Sequence, residues 1–434
     1  MKLNTKYLLE KVFSKPKYAF CIALFSASQA NGLDYGIFDA RSLAMGGTGV
    51  ASANSQNAVF YNPALFSIYE GEEEDTRNGR VYLPIAVAQI NDTADDAIDI
   101  VDQELDDQVS SAINAYNANV SPGNAQLVAD AAASLQSGIN QIGNQEFQGE
   151  AFIGLMISEP SNREGGGFYF GSRAVAGGLS NVSQEDLNLL QNYIDAMNLI
   201  ADGEDATAVF PDLFDPISGR LIDIDDQVTS NVDLSSLVIS EWGVAVSKEF
   251  KFWGQYVSLG VTPKIMNVDV YRENFTYTDS DYNYNDDKRS VVTLNTDIGI
   301  AMPIGEHFRI GLAAKDILPK TFEGANGLSV ETKARSRFAA AYTRKWLTVA
   351  MDLDLQKNSA FGAGRPNQEL SFGTELSLIP WVMIRAGYRH DLEGVEDDVA
   401  SGGVGLRVGR FVADAAYTFG GNVQGGAVQL GWTF

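Results

Sequence analysis

Hydrolytic or acyl-transfer chemistry needs a nucleophile with a base beside it, and this sequence offers little to build one. His307 and His390 are its two histidines, and no Gly-x-Ser-x-Gly occurs. The first falls in a predicted tight turn and the second at a strand end on the opposite rim, so they do not share a site. No enzymatic activity is expected. Asp279, Asp281 and Asn283 alternate oxygen ligands in the manner of a calcium loop. The segment lacks the glycine at the sixth position and carries Ser290 where a bidentate glutamate belongs. A solvated external loop accounts for it, so neither metal nor cofactor is expected. The acidic run Asp92 to Asp107 reads as the exposed face of a helix.

A second set of charges is placed by strand parity. Asp352 and Asp354 alternate with Leu347, Val349, Met351, Leu353 and Leu355. Arg385 and Arg389 lie opposite Val382, Ile384, Ala386 and Tyr388, and Arg407 lies opposite Val404, Leu406 and Val408. Glu375 and Asp414 share the inward parity. A charge facing lipid at mid-depth costs about 2–4 kcal/mol, so these side chains are expected to face a lumen. Opposite signs there predict a paired polar interior.

The elements that carry these residues read as an all-β transmembrane barrel. Roughly fourteen antiparallel strands of alternating polarity are predicted, at 81–90, 150–157, 167–177, 236–247, 254–267, 289–302, 308–316, 332–343, 346–355, 368–378, 381–390, 400–408, 411–419 and 425–434. Connections alternate long and short, which is the parity of an outer-membrane barrel with long loops outside and tight turns in the periplasm. The last strand presents Val428, Leu430 and Trp432 on one face and ends on Phe434. Aromatics of this kind form an interfacial girdle.

Three helical patterns interrupt the barrel in long external loops, within about 94–145 and 183–202. One spans Ala94 to Tyr116. One follows Ser121-Pro122-Gly123. One starts at Ser183, an N-cap with Asp186 three residues on.

The chain opens with Lys2, Lys6, Lys11, Lys15 and Lys17, a short apolar core from Tyr18 to Phe25, and Ser28-Gln29-Ala30. This predicts a cleaved signal peptide at 1–30. The single cysteine, Cys21, lies inside it. Cleavage after Ala30 leaves no thiol chemistry. The barrel then spans 81–434. A formal net charge of −25 argues against nucleic-acid binding. The expected location is the outer membrane of a Gram-negative bacterium, in contact with its lipid.

Residues 31–80 read as a plug. Gly46, Gly47 and Gly49 allow tight backbone approach, and Asn62 can bond its own backbone ahead of Pro63. The segment Asp39-Ala40-Arg41-Ser42-Leu43-Ala44-Met45-Gly46-Gly47-Thr48-Gly49-Val50-Ala51, followed by Ala58-Val59-Phe60-Tyr61-Asn62-Pro63-Ala64-Leu65, resembles the N-terminal signature of the FadL-like long-chain fatty-acid transporter superfamily. Within it, the chain is similar to the outer-membrane conjugal transfer protein TraF branch. The resemblance implies a fourteen-strand barrel with an internal plug carrying Met45, Gly46, Gly47, Gly49, Asn62, Pro63 and Ala64. It also implies passage of hydrophobic or amphipathic small molecules. The alternative is a surface interaction or assembly protein linked to conjugation, with a surface or conjugation-machinery partner for its helical loops. Those insertions are longer than the loops of a fatty-acid transporter. A periplasmic thioredoxin-like protein shares the TraF name, and a mature chain without cysteine excludes its dithiol chemistry.

Overall fold

The computed structural model describes residues 33–68, 79–224, 227–276, 288–324, 329–358, 361 and 366–434. The expected signal peptide, part of the expected plug (31–32 and 69–78) and the loop with Asp279, Asp281 and Asn283 lie outside the described residues.

Sixteen strands form among the described residues. They are β1 (Arg80–Asn91), β2 (Glu146–Glu159), β3 (Glu164–Asn181), β4 (Asn231–Phe252), β5 (Gln255–Thr276), β6 (Arg289–Ile304), β7 (Phe308–Lys315), β8 (Lys320–Glu323), β9 (Ser329–Thr332), β10 (Arg335–Arg344), β11 (Leu347–Asp354), β12 (Glu369–Ile379), β13 (Val382–Asp391), β14 (Val399–Val408), β15 (Phe411–Phe419) and β16 (Val423–Thr433). All but β8 and β9 close into one fourteen-strand antiparallel barrel. Closure is β1 against β16, from Arg80↔Thr433 to Asn91↔Val423. The backbone of Phe434 extends the seam by donating to the Gly79 carbonyl at 3.0 Å. A closed ladder satisfies every strand internally, which hydrocarbon requires. Among the described residues no helix is long and apolar enough to cross a membrane.

The outer face is apolar by alternation. Trp242, Val244 and Val246 are exposed on β4, Ile384 on β13, Val404 and Leu406 on β14, and Val428, Leu430 and Trp432 on β16. Trp253, Phe308, Trp346, Trp381, Phe411 and Phe434 are all exposed near the short-turn rim, as an interfacial girdle demands. β4 and β5 run to 22 residues each, where about 9–11 suffice to cross. That side of the wall therefore projects beyond the membrane.

A short helix, α1 (Ala40–Ala44), lies in the N-terminal segment, and α2 (Asp92–Asp102), α3 (Leu105–Ala118), α4 (Pro122–Ile142) and α5 (Gln184–Ala201) lie in the long loops. The single helix expected over 94–116 is two, because Glu104 takes a left-handed conformation at φ 49° between α2 and α3. Ser183 caps α5, but through the Glu185 amide. Asp186 instead accepts from the Thr229 and Ser230 amides, at 2.9 and 2.5 Å, and anchors the entry to β4. Both insertions share one apolar core, with Val109, Ile113, Val128 and Ile139 against Leu190, Tyr193, Met197 and Ile224. The strand expected to begin at 332 begins at Arg335. Residues 329–332 pair with 320–323 in a separate hairpin, whose short strands are too brief to show a period.

Candidate functional site: the filled lumen

Residues 33–68 lie against the inner wall of the barrel, and their contact with it is close enough to require glycine on both sides. Gly46 has φ +70°, and a Cβ there would stand 2.7 Å from the Tyr388 amide and 2.8 Å from the Phe372 carbonyl. The facing wall residue is Gly373, where a Cβ would meet the Met45 carbonyl at 2.6 Å. Asp39 caps α1 by accepting from the Ser42 amide at 2.8 Å. Burial pushes its carboxyl above the usual range.

The Asn-Pro-Ala triplet is a second foothold. Asn62 Oδ1 accepts from the Ala64 amide at 3.0 Å. Its Nδ2 donates to the Val50 carbonyl at 2.9 Å and to the wall carbonyl of Ile300 at 3.1 Å. Pro63 starts a 3₁₀ turn through Ser67, and Ala64 is fully buried. Phe38, Phe60 and Tyr61 of the segment form an aromatic cluster with Phe152 and Tyr169 of the wall.

Charges from the wall hold the same segment. Asp352 Oδ2 accepts from the Gly49 and Val50 amides, both at 2.9 Å. Arg385 reaches Glu375 at 2.6 Å and Asp414 at 2.7 Å. Asp354 lies 2.5 Å from Arg337, which also reaches Glu369 at 2.8 Å and the Gly47 carbonyl at 3.3 Å. Arg389 is 3.4 Å from Glu369. Arg407 stands apart, exposed beside the β14–β15 turn and without an ion pair among the described residues. The lumen charges singled out by parity thus fall into two clusters, one on Arg385 and one on Arg337, plus Asp352 on backbone amides of the segment and a lone arginine.

More than half of the network comes from residues that parity reasoning passed over. Arg41 of the segment meets Glu375 at 2.9 Å. Arg173 binds Glu150 at 2.8 Å and pairs with Asp34. Burial would raise the Asp34 carboxyl, but the charge and hydrogen bond of Arg173 more than reverse this and hold it low. Lys264 sits among Glu241, Asp297 and Asp316 at 3.1, 3.0 and 2.8 Å. Lys315 donates to the Phe60 carbonyl at 3.2 Å with its ammonium 3.7 Å from the Phe38 ring centroid. The same two-residue parity, applied to β2 through β7, β10 and β12, would have found the wall members that lie in strands; Asp316 stands just past the end of β7. Nothing in the sequence alone identifies Asp34 or Arg41 as their partners.

On the outside of the wall, β3 carries the run Gly165-Gly166-Gly167. A Cβ at Gly165 would stand 2.5 Å from the Phe66 carbonyl, and one at Gly167 would stand 2.9 Å from the Phe66 ring. Ser67 is tied to Ser247 at 2.5 Å and accepts from Ser258 at 3.0 Å. An open groove of about 1280 Å³ lies over this spot, lined by these glycines and by Ile157, Val246, Leu259, Val261 and Phe434.

A closed fourteen-strand barrel with an apolar belt and an N-terminal segment folded against its inner wall defines a transmembrane β-barrel of the outer-membrane type. The family model described as "F plasmid transfer operon, TraF, protein" matches residues 59–354, and the chain belongs to that family. Among solved structures, the TodX monoaromatic hydrocarbon channel carrying the deltaS2S3 mutation is similar in fold. It is 11% identical, covers 92% of this chain and 99% of its own, and has a TM-score of 0.50. The toluene transporter TbuX of Ralstonia pickettii is 12% identical, over 92% of this chain and 98% of its own, at 0.47. The toluene transporter TodX of P. putida is 11% identical, over 92% and 98%, at 0.45. No curated protein matches the sequence.

Proposed function

We propose that the protein passes apolar or amphipathic small molecules across the outer membrane, and that residues 33–68 are the plug that closes it. One observation carries the reading. At Gly165–Gly167 the wall has no side chains of its own, and Phe66 of the N-terminal segment stands directly behind it. Displacing that segment would open the lumen and uncover the wall at one stroke. The fold shared with hydrocarbon channels agrees with such a route. No catalytic step is needed.

A second reading rests on the helical layer, which a simple channel does not require. It assigns the layer to a surface or conjugation-machinery partner. Purified protein in liposomes separates the two. Deleting 32–76 should leave a folded barrel and raise entry of a neutral aromatic dye by about tenfold or more, because a barrel of this strand number is wide once emptied. Deleting the helical insertions should leave dye entry intact. Unchanged dye entry in the first variant, with loss of plasmid transfer from donor cells in the second, would favour the partner role.

A further inference from the structure

The inside of a transmembrane barrel is normally polar, yet part of this one is not. Val175 of β3 pairs with Leu237 of β4, which pairs with Val270 of β5. Ile239 pairs with Val268 beside them. The wall residues Leu237, Ile239, Met266, Val268 and Val270 are all buried. What covers them comes from elsewhere: Leu33, Phe361, and Phe322 and Val330 of the β8–β9 hairpin. Among the described residues that hairpin pairs only with itself, and no ladder bond fixes it to the wall.

A cavity of about 510 Å³ adjoins this patch and shares Leu33, Val175 and Phe361 with it. The rest of its lining is mostly polar and carries more acids than bases, with Asp34, Glu146, Glu150, Glu369 and Glu396 facing the guanidinium of Arg389. Arg173 answers Glu150, and Arg337 answers Glu369. Glu396 has the Asn367 amide at 2.8 Å and the charge of Arg389 nearby, but no cation in ion-pair contact among the described residues.

We propose that patch and cavity are two halves of one amphipathic binding site, in which Phe322 and Val330 occupy the place of a ligand's apolar body and the cavity receives an ammonium head. The proposal rests on the reading that apolar molecules enter this barrel, and it names their chemistry. An apolar chain replaces the hairpin's contacts with the wall at little cost, because both present hydrocarbon. An ammonium supplies the ion-pair contact that Glu396 lacks, in a lining where acids outnumber bases. A carboxylate head would meet like charges there, which opposes binding. The hairpin competes with the ligand, so apparent affinity is lowered by the fraction of time it is closed.

The test uses the full-length protein in lipid nanodiscs, with empty discs as the blank. Neutral N-phenyl-1-naphthylamine is bound and displaced by octylamine, octanol or octanoate near pH 8. Octylamine should displace at a concentration about tenfold below octanoate, with octanol between, as fits one uncompensated charge. Glu396→Gln should shrink that gap to about threefold or less. Phe322→Ala should tighten all three ligands by a common factor, and the milder Phe322→Leu should do so to a smaller extent if the alanine variant fails to fold. Octanoate displacing as well as octylamine would overturn the head-group assignment. Affinities indifferent to both Phe322 variants would overturn the site. Binding requires no passage. Displacement by a protein that admits no dye would sink the transport reading alone, and dye entry without displacement would sink the site alone.

Discussion

Arg41 and Glu375 lie 334 positions apart in sequence and 2.9 Å apart in space. The carboxylate oxygen that Arg41 contacts also lies 2.6 Å from Arg385 of the wall. One oxygen thus serves both the barrel and the segment inside it. Removing Arg41 leaves the barrel's own pair intact, so the two roles can be separated by mutation.

Arg41→Met should leave the barrel folded and loosen the segment. Glu375 keeps Arg385 when Arg41 is lost, so the cost stays below the about 3–5 kcal/mol of a buried charge left wholly unpaired and falls on the contact between segment and wall. Planar-bilayer recordings should show frequent openings absent from the parent protein. A heat-modifiable, folded variant with a silent trace would remove Arg41 from the latch.

Orientation follows from loop parity. Trypsin added to intact cells should cut at Lys288, which is exposed just before β6 and outside any ladder, and spare Lys345 in the β10–β11 turn. Arg272 belongs to a paired strand and should resist on either side. Cleavage confined to Lys345 would invert the barrel.

Loss of Phe434 should lower the yield of folded barrel several-fold. The residue closes the seam through Gly79 and adds an aromatic to the short-turn girdle. The outer-membrane fraction, assayed by heat-modifiable migration, reports the outcome. Normal insertion of the truncated chain would show the seam indifferent to its last residue.

Glu396 should make the outer loop sensitive to pH. Burial, reinforced by the charge of Glu369, pushes its carboxyl up to about 7. The folded loop therefore holds the proton more tightly than an open one. Its stabilisation is full below the ordinary carboxylate range, and it fades as pH rises from about 4.5 toward about 7. Hydrogen exchange in 392–398, corrected for intrinsic rates, should show more protection near pH 5.5 than near pH 8. Glu396→Gln should flatten the difference, and an equally steep variant would acquit this group.

The barrel was legible because its rule is local. Alternation along β11, β13 and β16 places every second residue, and loop lengths alternate with the same parity. The helix break at Glu104 escaped because apolar spacing continues through it from Val101 to Leu105. The hairpin at 320–332 escaped because four-residue strands carry too few alternations. Within the lumen, Asp352 and Arg385 could be assigned a direction, but not a partner. The partner is set by register across strands and by the path of 33–68, and both are long-range. Asp34 and Arg41 lie outside any strand, where no period announces them.

The shared core of the helical layer constrains the order of assembly. Insertion from the β1–β2 loop contributes Val109 and Ile139, and insertion from the β3–β4 loop contributes Leu190 and Met197. Ser110 reaches Asp223 at 2.9 Å and Asn117 reaches the Leu221 carbonyl at 2.8 Å across the same boundary. Neither insertion can bury its apolar stripe alone. The layer therefore completes only once the first four strands stand side by side, and until then both stripes stay exposed on the unassembled chain. A periplasmic holdase would have two sticky loops to shield. An antibody against the finished layer would mark only those molecules whose wall had already formed.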